Sequence, residues 1–201
     1  MDSGDETDDV VWARCLEGDG EAIAVIFDRH ERRLFRAALR DAPSPHEAED
    51  IVATVFLELW RLRAKVRLVD ASLLPWLLVT TANVSRNASR SRRRHRNLLA
   101  KLPPDPPVAD AGEVALDNIA ALHLERRIAL ALRDLRPADR QILLLTAVEG
   151  LSLAQSAAAL GITQHAAKAR LTRARHRARD LLSEEAPLAR PGGFEFEETP
   201  A

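Results

Sequence analysis

With 201 residues, 46% hydrophobic and 29% charged, the chain is long enough for one large domain or two small ones. A single cysteine, Cys15, excludes a disulfide framework and a cysteine-based zinc site. The longest apolar run, residues 73–79, is far shorter than the roughly 20 residues that span a membrane, so we expect no membrane insertion, and the lone cysteine favours a reducing cytoplasm.

Charge is distributed unevenly, although the net formal charge is only −1. Residues 1–9 contain five acids, and the segment 183–201 contains five acids against one arginine. Basic residues concentrate in two interior blocks, at 86–101 and 163–179. We therefore expect an acidic disordered N-terminus over 1–9 and an acidic tail over 183–201, and the interior blocks are candidates for nucleic-acid contact.

Apolar positions in residues 10–62 recur every three or four residues, which predicts amphipathic helices over 10–16, 21–39 and 44–62. The third helix has one wide apolar face, which we assign to a core. Its members are Ile51, Val52, Val55, Phe56, Leu59 and Trp60. Another face of this helix is left for a partner, and it consists of Asp50, Ala53, Thr54, Leu57 and Arg61.

A fourth helix is predicted from about Pro75 to Leu99, and its second half is basic. No acid interrupts the cations Arg86, Arg90, Arg92, Arg93, Arg94, Arg96 and Lys101. Asn83, Arg86, Asn87 and Arg90 recur at helical spacing and share one face, which suits contacts to a nucleic-acid strand. The alternative is that this arginine run is disordered or only solubilising. Trp76 could stack on a base, but within an apolar run we favour a place in the core.

Residues 101–115 mark a domain boundary, because four prolines between 103 and 107 cannot continue a helix. Such a spacer is extended and has no core of its own. We therefore expect two small all-α domains, at 10–100 and 116–182, that are mechanically separate in the free protein. In the second domain, Ile128, Leu132 and Leu135 form an apolar stripe, and a helix is predicted over 138–148.

Residues 151–179 predict a helix-turn-helix whose second helix is cationic. Ser152 and Gln155 fit a capping box, Gly161 suits a left-handed turn, and Thr163 can cap the next helix. Residues 163–179 contain six Lys or Arg and no acid. A helix-turn-helix of this kind places its second helix in the DNA major groove.

Helical spacing separates two faces of this second helix. Ala167, Leu171, Ala174 and Ala178 form the face expected to be buried. Gln164, His165, Lys168 and Thr172 lie on the opposite face and can reach base edges. Arg170, Arg173 and Arg175 are better suited to phosphates. The alternative is a solvated basic helix end.

These segments resemble two domains of bacterial sigma factors. The second conserved sigma domain is similar to FDRHERRLFRAALR at 27–40, PHEAEDIV at 45–52, FLELW at 56–60 and WLLVTTAN at 76–83. The fourth is similar to LRPADRQILLL at 135–145, EGLS at 149–152, ALGI at 159–162 and KARLTRAR at 168–175. The resemblance covers residues 10–182, and the missing first and third domains point to the compact extracytoplasmic-function (ECF) group.

The resemblance implies a subunit that binds core RNA polymerase and recognises promoter DNA, with an anti-sigma factor as a further candidate partner. Domain 116–182 would recognise the −35 element as duplex. Domain 10–100 would capture unstacked bases of the −10 element through Asn83, Arg86, Asn87 and Arg90, and segment 63–74 matches the family's loop around a flipped base. Contacts to the polymerase would come from Glu47, Asp50, Ala53, Thr54 and Leu57.

The sequence departs from the family pattern after Asp50. The family usually has Gln, an acid and Thr where Ala53, Thr54 and Val55 stand, and these positions normally face a helical clamp on the largest polymerase subunit. The family's Asp four residues after its Asn is Asn87 here. These differences concern the detail of the contacts and leave the predicted fold unchanged.

Other classes of function fit the sequence less well. The segment 46–50 superficially resembles a zinc-protease helix, but Asp50 stands where the second His is needed, so we predict no enzyme, no metal site and no cofactor. A self-contained DNA-binding regulator explains residues 151–179 equally well. A regulator of this kind does not explain the basic block at 86–101 or the partner face of the third helix. A pure interaction module would need no side chains that read bases.

Overall fold

The computed structural model describes residues 6–99, 132 and 134–184, and every regular element within these ranges is a helix. The predicted all-α fold is therefore confirmed. No helix in the described part of the chain is long and apolar enough to cross a membrane. The helices form an N-terminal and a C-terminal unit. The predicted linker 101–115 and Ile128 lie outside the described residues.

Four helices make up the N-terminal unit: α1 (Asp8–Leu16), α2 (Gly20–Leu39), α3 (Pro45–Arg61) and α4 (Leu74–Leu99). Local chemistry explains where they begin. Asp19 accepts hydrogen bonds from the first amides of α2, and Ser44 accepts one from the Glu47 amide in α3. Pro45 occupies the first position of α3, where a missing N–H is harmless. A short 3-10 turn, Arg63–Lys65, follows α3.

The four helices share one apolar core, and α3 contributes most of its predicted face to it. Its buried residues include Ile51, Val52, Val55, Phe56 and Leu59. The prediction was wrong for Trp60, whose exposed fraction is 42%. Trp60 lies at the edge of the apolar face, within one helical turn of the exposed Leu57. Trp76 is half-buried against the core, which agrees with the placement that we favoured.

Helix α1 begins at Asp8, inside the segment that was expected to be disordered. The Asp8 side chain is only 5% exposed, and its carboxylate is paired with Arg29 at 2.8 Å and with His30 at 2.8 Å. The same carboxylate accepts hydrogen bonds from Ser72 and from the Leu73 amide. The acidic composition of residues 1–9 suggests solvated carboxylates, but the carboxylate of Asp8 is buried and holds α1 against the rest of the unit.

Three helices are described in the C-terminal unit from residue 137 onward. They are α5 (Pro137–Leu143), which continues into a π-helical turn (Leu144–Val148), α6 (Leu153–Ala159) and α7 (Gln164–Glu184). The predicted helix over 138–148 is present, with its last turn widened. A small core joins Ile142 of α5, Ala157 of α6, and Ala167 and Leu171 of α7.

The two units are in contact, so the expectation of mechanically separate domains was wrong. Leu145 and Leu151 of the C-terminal unit are buried against the N-terminal core. Arg33 of α2 and Arg40, the residue that follows α2, form ion pairs with Glu149, which follows the π-helical turn. The prolines of the linker predict that the linker has no core of its own, but they do not prevent the helical units on either side from docking.

Candidate nucleic-acid interface

The start of α6 and the turn between α6 and α7 have the three local features that the sequence predicts. Ser152 Oγ accepts a hydrogen bond from the Gln155 amide at 3.1 Å, and the Gln155 side chain accepts one from the Ser152 amide at 2.9 Å. Gly161 has a φ of +64°, which glycine adopts without steric cost. Thr163 Oγ1 accepts a hydrogen bond from the Ala166 amide at 3.2 Å. The direction of α7 therefore follows from its own sequence.

Helix α7 has a buried face and a polar face, as helical spacing predicts. Ala167, Leu171 and Ala174 are buried, with exposed fractions of 0%, 8% and 0%, whereas Ala178 is half-buried. The predicted DNA-contacting side chains that are exposed are Gln164, His165, Lys168, Thr172, Arg173 and Arg175. Arg170 is half-buried. The polar face thus presents amide, imidazole and ammonium groups along one side of the helix and guanidinium groups beside them.

One cation of this surface has an acidic neighbour within the protein. Arg173 lies 3.8 Å from the carboxylate of Asp139, and 58% of the Arg173 side chain is exposed. Asp139 belongs to the first turn of α5 and is almost buried. An ion pair at this distance and exposure is weak, so Arg173 can turn to an external anion at little cost.

The predicted strand-binding face of α4 is only partly open. Asn83, Asn87 and Arg90 are exposed, whereas Arg86 is half-buried. Arg86 Nη2 donates to Asn83 Oδ1 at 3.2 Å and to Gln141 Oε1 of α5 at 3.4 Å. Further along the helix, a shallow polar groove is lined by Asn87, Arg90, Arg93, Arg94 and Asn97. The basic block at 86–101 is therefore an ordered helical surface over its described residues, not a disordered run.

The segment before α4 forms a tight loop. Val69 and Ser72 pair as a single antiparallel bridge, and the two residues between them have positive φ angles, 51° for Asp70 and 57° for Ala71. Asp8 secures the far side of the loop through Ser72 Oγ at 3.0 Å and the Leu73 amide at 2.9 Å. This loop corresponds to segment 63–74, for which the sequence suggests a role around a flipped base.

The predicted polymerase-binding residues share the outer face of α3. Asp50, Ala53, Thr54 and Leu57 are exposed, and 69% of Leu57 is open to solvent. Glu47 is half-buried, because its carboxylate pairs with Arg92 of α4. Leu57 therefore belongs to the solvent side of a helix whose other face is buried in the core.

Sequence reasoning assigned Trp60 to the core and missed that it lies on the exposed side of α3 near Leu57. Trp60 is exposed, and the guanidinium of Arg63 stacks over its ring at 4.5 Å from the centroid. Leu57 and Trp60 are three residues apart, a spacing that brings two side chains together on a helix. That spacing was the signal that could have assigned Trp60 to the partner face.

The segment that superficially resembles a zinc-protease helix has no metal-binding geometry. His46 lies 3.8 Å from Glu49 and 4.0 Å from Asp50, and all three side chains are more than 60% exposed. Among the described residues, no group of three or more His, Cys, Asp or Glu is arranged to hold a metal ion.

A capped helix-turn-helix with a polar second helix, together with a separate basic helix, defines a DNA-binding protein with two candidate contact surfaces. Family models match both parts of the chain. Residues 26–95 match sigma-70 region 2, and residues 125–177 match sigma-70, region 4. These two regions define the sigma-70 class of transcription factors.

Proteins of similar sequence identify a narrower family within the sigma-70 class. The chain is 31% identical to the RNA polymerase sigma factor CarQ of Myxococcus xanthus over 85% of this chain and 95% of CarQ. It is 28% identical to the ECF RNA polymerase sigma factor SigM of Mycobacterium tuberculosis over 89% of this chain and 86% of SigM. The fold is similar to that of CnrH, solved in complex with the cytosolic domain of CnrY, with a TM-score of 0.62 and 23% identity over 90% of this chain and 100% of CnrH. The protein belongs to the ECF family of RNA polymerase sigma factors and directs promoter-specific initiation of transcription.

Proposed function

We propose that α7 recognises the −35 element of the promoter in the major groove. The observation that carries this proposal is the exposed polar face of a capped helix-turn-helix, opposite the buried Ala167 and Ala174. Gln164 can bond the edge of an adenine through its amide, and Lys168 can donate to guanine acceptors. Arg170, Arg173 and Arg175 position the helix through phosphates, which gives affinity without sequence preference.

The N-terminal unit is proposed to capture the opened −10 strand on α4. Asn83 and Asn87 read base edges, while Arg86 and Arg90 hold the backbone. The hydrogen bond between Arg86 and Asn83 supports a joint role, because it aligns the two side chains on one face. Loop 63–74 is proposed to enclose a flipped base, whose unstacking costs a few kcal/mol that the pocket has to offset.

The outer face of α3 is proposed to bind core RNA polymerase through Glu47, Asp50, Ala53, Thr54 and Leu57. The exposure of Leu57 supports this, since burying it against a partner removes apolar surface from water. Trp60 and Arg63 extend the same surface. Because Ala53 and Thr54 replace the usual polar residues of the family, apolar contact carries more of the binding here.

The protein acts without catalytic activity of its own, and it works in the cytoplasm, where the polymerase is. An anti-sigma factor is proposed as a further partner, by extension from CnrH, whose structure was solved with CnrY, and from RpoE of Bartonella quintana, solved with the anti-sigma factor NepR.

Run-off transcription with core polymerase on two templates tests the role of the −10 surface. One template is fully duplex, and the other carries a premelted bubble over the −10 element. We expect Asn83→Ala to reduce transcription from the duplex and to regain part of it on the bubble, because its target is an unstacked strand. Asn97→Ala is the matched control, an exposed asparagine about 21 Å further along α4.

Closed-duplex affinity provides the second arm of this test. Asn83→Ala is expected to leave the binding of closed promoter duplex almost unchanged. If it weakens duplex binding as much as Lys168→Ala does, and the bubble restores no transcription, the assigned role in strand opening is wrong. An equal loss in Asn97→Ala would likewise argue against a specific role for Asn83.

A further inference from the structure

Glu149 of the C-terminal unit is buried against the N-terminal unit, with 8% of its side chain exposed. One carboxylate oxygen accepts a hydrogen bond from Arg33 Nε at 3.1 Å, and the other pairs with the guanidinium of Arg40. The second nitrogen of Arg33 also donates to the backbone carbonyl of Glu149. A carboxylate removed from water in this way depends on both arginines, because an unpaired buried charge is costly.

Further polar contacts surround this ion-pair cluster. Arg140 of α5 pairs with Asp41, the residue that follows α2 by two positions. Gln155 of α6 donates from Nε2 to Asp70 Oδ2 at 2.9 Å. Together with Arg86 and Gln141, these contacts place the C-terminal unit on the loop and on the helix proposed to hold the opened strand. Docking and strand capture therefore compete for the same side chains.

The closed arrangement is also too short for promoter recognition. Elements at −35 and −10 lie about 25 base pairs apart, which is on the order of 80 Å of B-form duplex. Helix α4, with 26 residues the longest described element, spans only about 39 Å. A compact chain of this length has a radius of gyration of only about 16 Å, so units that share buried leucines have to separate before they act together on a promoter.

We propose that Glu149, Arg33 and Arg40 form an autoinhibitory latch, which keeps the free sigma factor closed until core polymerase takes up the N-terminal unit. The competition at Asp70 and Arg86 rests on the proposed function, whereas the latch rests on the ion pairs alone. If only the open form binds fully, the apparent dissociation constant for core polymerase equals the intrinsic one divided by the open fraction. Weakening the latch should then tighten binding to the polymerase.

Distance measurements on the full-length protein test whether the latch holds the units together. The only native cysteine is removed by Cys15→Ala, and dyes are attached through Ala13→Cys in α1 and Arg177→Cys in α7, both exposed positions. Single-molecule energy transfer should give one short-distance population. Glu149→Gln and, from the other side, Arg40→Gln should shift molecules to longer distances. Glu17→Gln, at an exposed position at the end of α1, should not.

A charge swap adds a positive test. The triple variant Arg33→Glu, Arg40→Glu, Glu149→Arg reverses every sign in the cluster, so the short-distance population should return. Circular dichroism establishes that each variant keeps its helical content. The latch is refuted if both single neutralisations leave the distances as in the wild type, or if the swapped protein stays as open as Glu149→Gln.

Affinity for core polymerase tests whether the latch inhibits. Glu149→Gln should bind core polymerase about fivefold more tightly or better, and Glu17→Gln should bind like the wild type. An opened distance distribution with unchanged affinity would overturn the inhibitory role. Failure of the proposed DNA contacts is distinguishable, because Lys168→Ala and Asn83→Ala change DNA binding or melting without changing the distance distribution of the free protein.

Discussion

Asp8, the first residue of α1, accepts a hydrogen bond from the backbone amide of Leu73 at 2.9 Å and so fixes the chain just before α4 begins. Ser72 Oγ donates to the same oxygen at 3.0 Å, and His30 Nε2 lies 2.8 Å from it. One buried carboxylate therefore joins α1, α2 and the loop that precedes the proposed strand-binding helix.

Replacing Asp8 should destabilise the N-terminal unit strongly. Asp8→Ala leaves Arg29, His30 and the Leu73 amide without their shared acceptor, and losing one partner of a buried ionic cluster costs about 3–5 kcal/mol. Chemical denaturation at pH 7 measures the change in free energy of unfolding. Asp9→Ala is the matched control, because Asp9 is the exposed neighbour in the same first turn, and its loss should be much smaller. Equal losses would mean that helix-dipole charge, rather than the buried network, stabilises α1.

The contribution of Asp8 should also depend on pH. Burial by itself would raise the pKa of Asp8, but hydrogen bonds from His30, Leu73 and Arg29 outweigh it and hold the pKa well below its ordinary value of 3.8. A lowered folded-state pKa means that the stabilisation is complete above the unfolded-state pKa and is lost as pH falls below it. The difference in unfolding free energy between wild type and Asp8→Ala should shrink as pH falls below about pH 4. A difference that grows on acidification below about pH 4 would contradict this assignment.

Gly161 should be needed for its backbone conformation rather than for space. Its φ is +64°, and a Cβ added there would meet nothing within 4 Å. Gly161→Ala therefore incurs only the left-handed strain, about 1–2 kcal/mol, which thermal unfolding can detect. Gly20→Ala is the matched control, since Gly20 has equal space and no positive φ. A neutral Gly161→Ala would show that the turn can relax to another conformation.

Local patterns made the helix-turn-helix and the core of α3 predictable. Ser152, Gln155 and Gly161 act within ten residues of one another, and the apolar face of α3 repeats within one helix. The roles of Asp8 and Glu149 were not predictable, because their partners lie up to 65 and 116 residues away and nothing in the local sequence distinguishes a buried acid from a solvated one. The prediction for Trp60 failed for another reason: this residue lies at the edge of an apolar face, where periodicity cannot decide between a place in the core and a place on the exposed surface.

Binding to core polymerase should depend on the outer face of α3. Asp50→Lys reverses an exposed charge in the middle of that face, so it should weaken co-elution with core polymerase while helical content stays the same. Glu17→Lys makes the same charge change at the end of α1, outside this face, and should co-elute normally. Unchanged binding of Asp50→Lys would move the polymerase contact to another surface.

The polar face of α7 should divide into residues that read sequence and residues that bind phosphate. Lys168→Ala should remove a base-edge contact, with a loss of about 1–3 kcal/mol in binding that is confined to one promoter position.

Arg173→Ala should weaken all duplexes similarly and reduce the slope of log affinity against log salt by about one unit, because one phosphate contact disappears. Its weak pairing with Asp139, at 3.8 Å, makes little difference, since Arg173 is 58% exposed and free to turn outward. Arg177→Ala is the control, an exposed arginine one turn beyond Arg173 and outside the predicted contacts. Titrations at several salt concentrations, on the preferred promoter and on single-base variants, separate the effects. If Lys168→Ala lowers affinity equally for every sequence and reduces the salt slope as Arg173→Ala does, Lys168 binds phosphate, and base recognition has to come from Gln164 or His165.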